Sequence, residues 1–348
     1  MTQPSLLGLA TAEAPFPALQ TDVRAQTLSM FSEASFDTAE LSSVFENAGI
    51  DRRTFAWPLE HFSKRPGVEE RARRFTELAP EMLKKAVEDA ADESLRQRLT
   101  HVVTVCSSGI ATPTLECLIA PDLGIPASAR RVPVFGLGCA GGAAGLAIAR
   151  DLACSSPDAC VLLLVIELTS LTLMTEDASR RNFVACALFG DGAAAAVIGA
   201  PTKSHPSLAT LGPSVTKLIP DTLDLMGWEV EEGGWRVVFS PRIPAVVRRQ
   251  VKELVDEATD GERPAYFALH PGGAKVIDAY EQSLELDGHD LRFSQGVLSD
   301  HGNMSAATVL FVLERLLKDP KRPAGSAVMT AFGPGFSAEA MSLQLPDA

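Results

Sequence analysis

Apolar and polar positions along the chain change period near residue 100. Before it, spacings of three and four dominate. Thr21–Ser32 and Thr38–Ala48 read as helices, the second stopped by Gly49. Val68–Ala79 and Glu81–Ala91 carry the same period, and the spacing predicts two helices separated at Pro80, which has no N–H for the preceding turn. Leu6–Thr11 is an early candidate strand. From about His101 short apolar runs alternate with helical stretches, which predicts an α/β layered fold.

That second region repeats itself. A strand at His101–Val105 leads into Ser107-Ser108-Gly109 and a helix; a strand at Ala265–Leu269 leads into His270-Pro271-Gly272-Gly273 and a helix. The Cys139 helix follows the first, and Asn303 opens the apolar helix Ser305–Leu317 after the second. Ser107 to Cys139 and His270 to Asn303 both span about 32–33 residues, too long for a solenoid repeat and consistent with a duplicated half. Buried-strand runs then follow at Cys160–Glu167 and Ser326–Ala331. The pattern predicts two pseudo-symmetric halves, 1–200 and 201–348. It sets Cys139 and Asn303 at equivalent helix starts, and His270 and Ser107-Ser108 at equivalent strand ends. Ligands gather at the carboxyl ends of strands in such sheets.

Composition narrows the picture. Of 348 residues 46% are hydrophobic, enough for a sizeable core. A formal net charge of −13 disfavours nucleic acid as a partner but leaves room for a local basic pocket. The six cysteines form no CxxC pair, which fits reduced cytosolic thiols better than a disulfide framework or a zinc site. The first residues carry no basic segment of a signal peptide, and no apolar stretch is long enough for a membrane span. A cytoplasmic protein is expected.

Cys139 is the leading candidate for chemistry. It stands in Val132–Gly142, Val-Pro-Val-Phe-Gly-Leu-Gly-Cys-Ala-Gly-Gly, which reads as strand, glycine turn and a helix beginning at the cysteine. The positive end of a helix dipole favours thiolate, and the glycines clear space around the sulfur. With His270 and Asn303 at comparable turns, the three side-chain types suggest covalent acyl chemistry. Each also has an ordinary reading: buried thiol, turn residue, helix cap. Cys106, Cys117, Cys154, Cys160 and Cys186 keep the ordinary one, and His301 is expected in a loop. Gly136–Gly141 also satisfies GxGxxG, with Glu167 placed like a ribose-binding acid, so an NAD-dependent oxidoreductase is a rival reading.

Five ordered motifs carry a resemblance: Gly-Leu-Gly-Cys-Ala-Gly-Gly, Ala-Leu-Phe-Gly-Asp-Gly-Ala-Ala-Ala, His-Pro-Gly-Gly, Gly-Asn-Met-Ser and Phe-Gly-Pro-Gly. In this order the chain resembles the type III polyketide synthases, of which chalcone synthases are the best known. The segment Val-Thr-Val-Cys-Ser-Ser-Gly, Val103–Gly109, and the stretch Pro-Asp-Thr-Leu-Asp-Leu-Met-Gly-Trp are most similar to bacterial alkylresorcinol and alkylpyrone synthases. The resemblance implies a thiolase-like fold layered α-β-α-β-α, a homodimer, and acyl-CoA and malonyl-CoA as substrates with no metal or redox cofactor. It implies that Cys139 carries the acyl chain, that His270 holds the thiolate in an ion pair, and that His270 and Asn303 bind the thioester oxygen during decarboxylation. Cyclisation to a resorcinol or a pyrone would follow.

Further expectations rest on the same resemblance. Leu173 and Val237 fall where chalcone synthases place phenylalanines between the coenzyme A tunnel and the cavity, so the passage should suit a long aliphatic starter. Ser107, Ser108 and Thr112 would line the cavity, with Phe332, Gly333 and Pro334 in its wall. Lys275 could lie at the tunnel mouth, and Arg52, Arg53, Lys64 and Arg65 are other candidates for the coenzyme phosphates. An acyl carrier protein is an alternative donor. An initiating β-ketoacyl-carrier-protein synthase shares the fold, but its His-Gln-Ala-Asn motif is absent here. A thiolase needs a second cysteine, and none follows Cys186.

Overall fold

The computed structural model describes residues 3–347. In chain order the strands are β1 (Ser5–Glu13), β2 (Phe16–Leu19), β3 (Arg52–Phe55), β4 (His101–Cys106), β5 (Arg130–Phe135), β6 (Cys160–Leu168), β7 (Asp191–Gly199), β8 (Ala209–Leu218), β9 (Met226–Glu231), β10 (Gly234–Phe239), β11 (Tyr266–Leu269), β12 (Gly325–Gly333) and β13 (Ser337–Leu345). Among the described residues nine of these form one sheet, ordered β11-β12-β13-β8-β1-β7-β6-β4-β5. β4 runs parallel to β5 and β6, and β11 parallel to β12; the other pairs are antiparallel. Every residue of β6 and β7 is buried, which is why both read as unbroken apolar runs. β5 closes one edge, and Pro133 is tolerated there because an edge strand has one unpaired side.

Five layers follow. Helices Gly141–Ala153 and Thr308–Leu317 lie between the half-sheets, where Val105, Leu163 and Ala194 from one half share a core with Ala327, Met329 and Met341 from the other. The outer face of the first half is covered by helices Val68–Ala90 and Leu115–Leu123. Helices Ile243–Ala258 and Ala274–Leu284 cover the second. This is the thiolase-like arrangement the resemblance implied. Strands β4, β6, β7 and β1 correspond to β11, β12, β13 and β8. The counterpart of β5 is replaced by helix Gly288–His301.

The register between the halves differs from the sequence expectation. Gly138 (φ 48°) and Ser305 (φ 50°) each open a short 3-10 turn, Gly138–Ala140 and Ser305–Ala307, and a helix follows directly in both halves. Cys139 therefore matches Ala306. Asn303 lies three residues earlier and reaches back toward the thiol. Spacing alone does not show where the chain takes a left-handed step. Helix Gly141–Ala153 also starts two residues after Cys139 instead of at it.

Other boundaries move for identifiable reasons. Val68–Ala90 is one helix with Pro80 inside it. Interior proline costs about 3 kcal/mol, but Phe75, Leu78, Met82, Leu83 and Val87 form one buried face across it, and each large apolar side chain contributes about 1.5–3 kcal/mol. The expected helix Thr38–Ala48 is two short pieces, Thr38–Leu41 and Ser43–Glu46. Between them Ser42 donates its hydroxyl to the Ala39 carbonyl, a local bond that competes with helix continuation. His301 is the last residue of helix Gly288–His301 and not a loop residue; it is buried, with Nδ1 3.0 Å from Glu13 Oε1.

Candidate active site

The nucleophile turn is built by crowding. Gly136 (φ 90°) and Gly138 adopt left-handed backbone that side chains rarely take. A Cβ on Gly138 would stand 2.6 Å from Pro334 Cδ, and one on Gly333 would stand 2.4 Å from the Leu137 carbonyl oxygen. Gly333 and Pro334 therefore brace the Cys139 turn from behind. Phe332 points the other way, into the outer core of the second half, where it stacks on Phe336 at 5.7 Å.

Cys139 is buried, and its Sγ lies 3.8 Å from Asn303 Oδ1. Asn303 Oδ1 also accepts the Ser305 N–H at 2.9 Å, which assigns the amide orientation and aims Nδ2 at the Gly272 carbonyl, 3.1 Å away. The second Nδ2 proton is left for an incoming acceptor. The backbone of Asn303 is clamped on both sides: its N–H donates to Leu188 and its carbonyl accepts from Gly190. Phe189, between them, forms an isolated bridge with Asn303.

His270 follows the end of β11, its N–H bonded to Thr330 and its carbonyl accepting from the Tyr280 hydroxyl at 3.1 Å. Both ring nitrogens are buried without a hydrogen-bond partner. Unpaired buried polar atoms are rare and mark places where a ligand supplies the partner. Gly272 keeps the space beside the ring open; a Cβ there would stand 3.7 Å from Nε2.

Charge at the site departs from the sequence expectation of a thiolate at a helix start. Burial pushes the Cys139 thiol up to about 12, with Glu167 adding to the rise and bonds from Ser305 and Asn303 opposing it. Burial likewise pushes the His270 imidazole down to about 3. Loss of water thus opposes the dipole and works against charge on both groups.

Glu167 has contacts at the site that the sequence reading did not assign to it. It is fully buried and accepts the Ser107 N–H at 3.2 Å, with Ser305 Oγ 3.4 Å from its other oxygen. Burial raises its carboxyl to about 7 against these bonds. Ser107 Oγ accepts the Gly138 N–H at 2.9 Å, so Glu167 reaches both the nucleophile turn and the Asn303 loop. Its signal in the sequence was an acid embedded in an apolar strand. The GxGxxG segment is packed against protein and leaves no room for a pyrophosphate: a Cβ on Gly141 would stand 2.8 Å from Val105 Cγ1, and one on Gly142 2.2 Å from the Ala306 carbonyl oxygen.

The remaining candidates divide. Leu173 and Val237 line one cavity of about 60 Å³ together with Phe189, Trp228 and Trp235. That cavity has aromatic walls although neither 173 nor 237 is a phenylalanine. Ser107 and Ser108 are buried beside the nucleophile turn, Ser108 Oγ accepting the Leu168 N–H at 2.8 Å. Thr112 stands on an exposed loop. Lys275 is exposed near the start of helix Ala274–Leu284. Arg53 is fully buried and donates to the Cys186 and Phe189 carbonyls and to Gln20, so it is not a phosphate ligand. Arg52 and Arg65 pair with Glu13 and Glu176.

Known proteins resemble the whole of this arrangement. The family model for the N-terminal domain of chalcone and stilbene synthases matches residues 59–202, and that for the C-terminal domain matches residues 210–346. A 1,3,6,8-tetrahydroxynaphthalene synthase of Streptomyces peucetius subsp. caesius is 35% identical, over 98% of this chain and 93% of its own. A 3,5-dihydroxyphenylacetyl-CoA synthase of Streptomyces toyocaensis is 31% identical, over 88% and 82%. The crystal structure of the C-terminal type III polyketide synthase domain of 'Steely1', a type I/III hybrid from Dictyostelium, superposes with a TM-score of 0.92 at 25% identity, covering 99% of both chains. Among the described residues no helix is long and apolar enough to cross a membrane.

Proposed function

We propose a specific reaction for this chain, which belongs to the chalcone and stilbene synthase family of type III polyketide synthases: it loads a fatty acyl starter from coenzyme A onto Cys139, extends it with malonyl units, and closes the product to an alkylresorcinol or alkylpyrone. It is an acyltransferase that works by decarboxylative condensation on coenzyme A thioesters and uses no further cofactor. The observation that carries the reading is the meeting of the buried Cys139 thiol with the Asn303 amide, whose Nδ2 bonds Gly272, two residues from the unengaged imidazole of His270.

The steps follow from these groups. Cys139 Sγ attacks the starter carbonyl as its proton passes to His270, and coenzyme A leaves as the thiol. Malonyl-CoA then loses carbon dioxide. The electron pair is held as an enolate whose oxygen accepts bonds from Asn303 Nδ2 and His270. The carbanion attacks the acyl carbon, a carbon–carbon bond forms, and the bond to Sγ breaks. The longer coenzyme A thioester can reload. Exclusion of water around these buried groups strengthens the bonds to the developing charge. Apolar Ile110 and Phe135, exposed beside the edge strand β5, support assembly as a homodimer.

A second reading is favoured by the 60 Å³ volume at Leu173: a compact starter closing to a small hydroxylated ring, such as the names of the two Streptomyces relatives describe. Mass spectrometry of products from malonyl-CoA and acyl-CoA starters of increasing length, beside Cys139→Ala, separates the two. Cys139-dependent products carrying a long alkyl chain support the first. Products from short starters alone support the second. Acylated Cys139 without condensation would exclude both with these donors and turn attention to carrier-protein thioesters.

A further inference from the structure

Three cavities lie in series, the middle one reaching the Ser107-Ser108 turn. The first, of about 60 Å³, holds Leu173, Val237 and Phe189. The second, of about 190 Å³, shares Thr172 and Trp235 with the first and is walled also by Ser108 and Leu171. The third, of about 340 Å³, extends past Cys106 to Phe135 on the edge strand. Phe75 and Gly109 belong to both the second and the third. A Cβ on Gly109 would stand 2.3 Å from the Phe75 ring, so ring and backbone touch and divide the two spaces. Phe75 is 2% exposed and sits on the long helix Val68–Ala90.

The second cavity reaches the turn that braces the nucleophile. Ser108, in its wall, follows Ser107, whose Oγ accepts the Gly138 N–H next to the nucleophile. Arg71 also lines it, but its guanidinium is engaged by the Leu173 and Gly233 carbonyls at 2.7 and 2.5 Å. With that charge turned into the wall, an apolar occupant meets mostly apolar surface.

We propose that Phe75 sets the length of the starter: the alkyl tail of the acyl group on Cys139 runs past Ser108 into the second cavity and ends against the Phe75 ring. The inference rests on the fatty acyl reading above. Burial of one methylene is worth about fourfold in kcat/KM, so the specificity constant rises by about that factor per carbon until the tail meets the ring. Past that point it falls.

The test is kcat/KM over a series of saturated acyl-CoA starters with malonyl-CoA, for the wild type, Phe75→Ala and Phe75→Trp, each checked for folding by thermal melting. Phe75→Ala joins the second and third cavities, and the preferred starter lengthens by about two carbons or more. Phe75→Trp shortens it. Phe75→Leu gives an intermediate shift and replaces the alanine variant should that one not fold. An unmoved optimum in variants that fold and still condense overturns the role of Phe75 and leaves the polyketide reading intact. No condensation by the wild type with any starter overturns the polyketide reading itself.

Discussion

Glu167 accepts the N–H of Ser107 at 3.2 Å, and Ser107 in turn accepts the N–H of Gly138, so a fully buried acid is two contacts from the nucleophile turn. Its carboxyl binds a proton more tightly in the folded chain than in the unfolded one. The unfolded chain releases that proton near 4.5 and the folded chain at about 7, so stability is lost as pH rises through that window. Glu167→Gln keeps an acceptor for Ser107 and removes the titration. Its unfolding free energy relative to the wild type is expected to be higher at about pH 8 than at about pH 5, by on the order of 3 kcal/mol. A pH-independent offset would show that Glu167 does not titrate there.

Asn303 separates acylation from condensation. In Asn303→Asp a carboxylate faces the Gly272 carbonyl that now accepts from Nδ2, and the donor to the enolate oxygen is gone. Removing one such donor costs about 10²–10³ in rate. Turnover is expected to drop by that factor while intact mass spectrometry still shows Cys139 acylated by the starter. Loss of acylation to the same extent would mean the amide serves the first step as well.

His270 is expected to control the reactivity of a thiol whose charge burial opposes. With the imidazole removed, the thiol loses the base to which the loading step passes its proton. His270→Ala should slow alkylation of Cys139 by iodoacetamide at neutral pH by about tenfold to a hundredfold. An unchanged rate, followed by peptide mapping, would place the proton acceptor elsewhere.

The contact between the two central helix starts has no slack. A Cβ on Gly142 would stand 2.2 Å from the Ala306 carbonyl oxygen, a backbone atom that cannot rotate away. Gly142→Ala is expected to destabilise the protein by about 1–3 kcal/mol, as overpacking does, and to lower turnover by separating Cys139 from Asn303. Urea unfolding and a turnover assay check the pair of effects. Full stability would mean the helices part without strain.

Much of this was legible in the residues, for physical reasons that differ from element to element. β6 and β7 announced themselves because burial on both faces demands apolar side chains throughout. Cys139, His270 and Asn303 stood out because glycines mark the turns that carry them. Pro80 misled because local propensity favours a break and only the packed face of Val68–Ala90 shows why none occurs. Ser305 hid the register between the halves: a serine at φ 50° occupies a step that Gly138 takes in the other half. The burial that opposes a thiolate at Cys139 was not legible, because a dipole is visible in the order of elements whereas depth is not.

β1 lies between β7 and β8, bonded to Gly199 through one edge and to Thr210 through the other. Residues near the beginning of the described chain therefore wait for partners nearly two hundred positions away before they can pair. During synthesis the segment Ser5–Glu13 emerges long before either neighbour, and contacts of such separation close slowly. Until it docks, four strands stand on each side with no strand to join them. The strand that enters the sheet from farthest away is thus the one that makes two half-sheets into a single assembly.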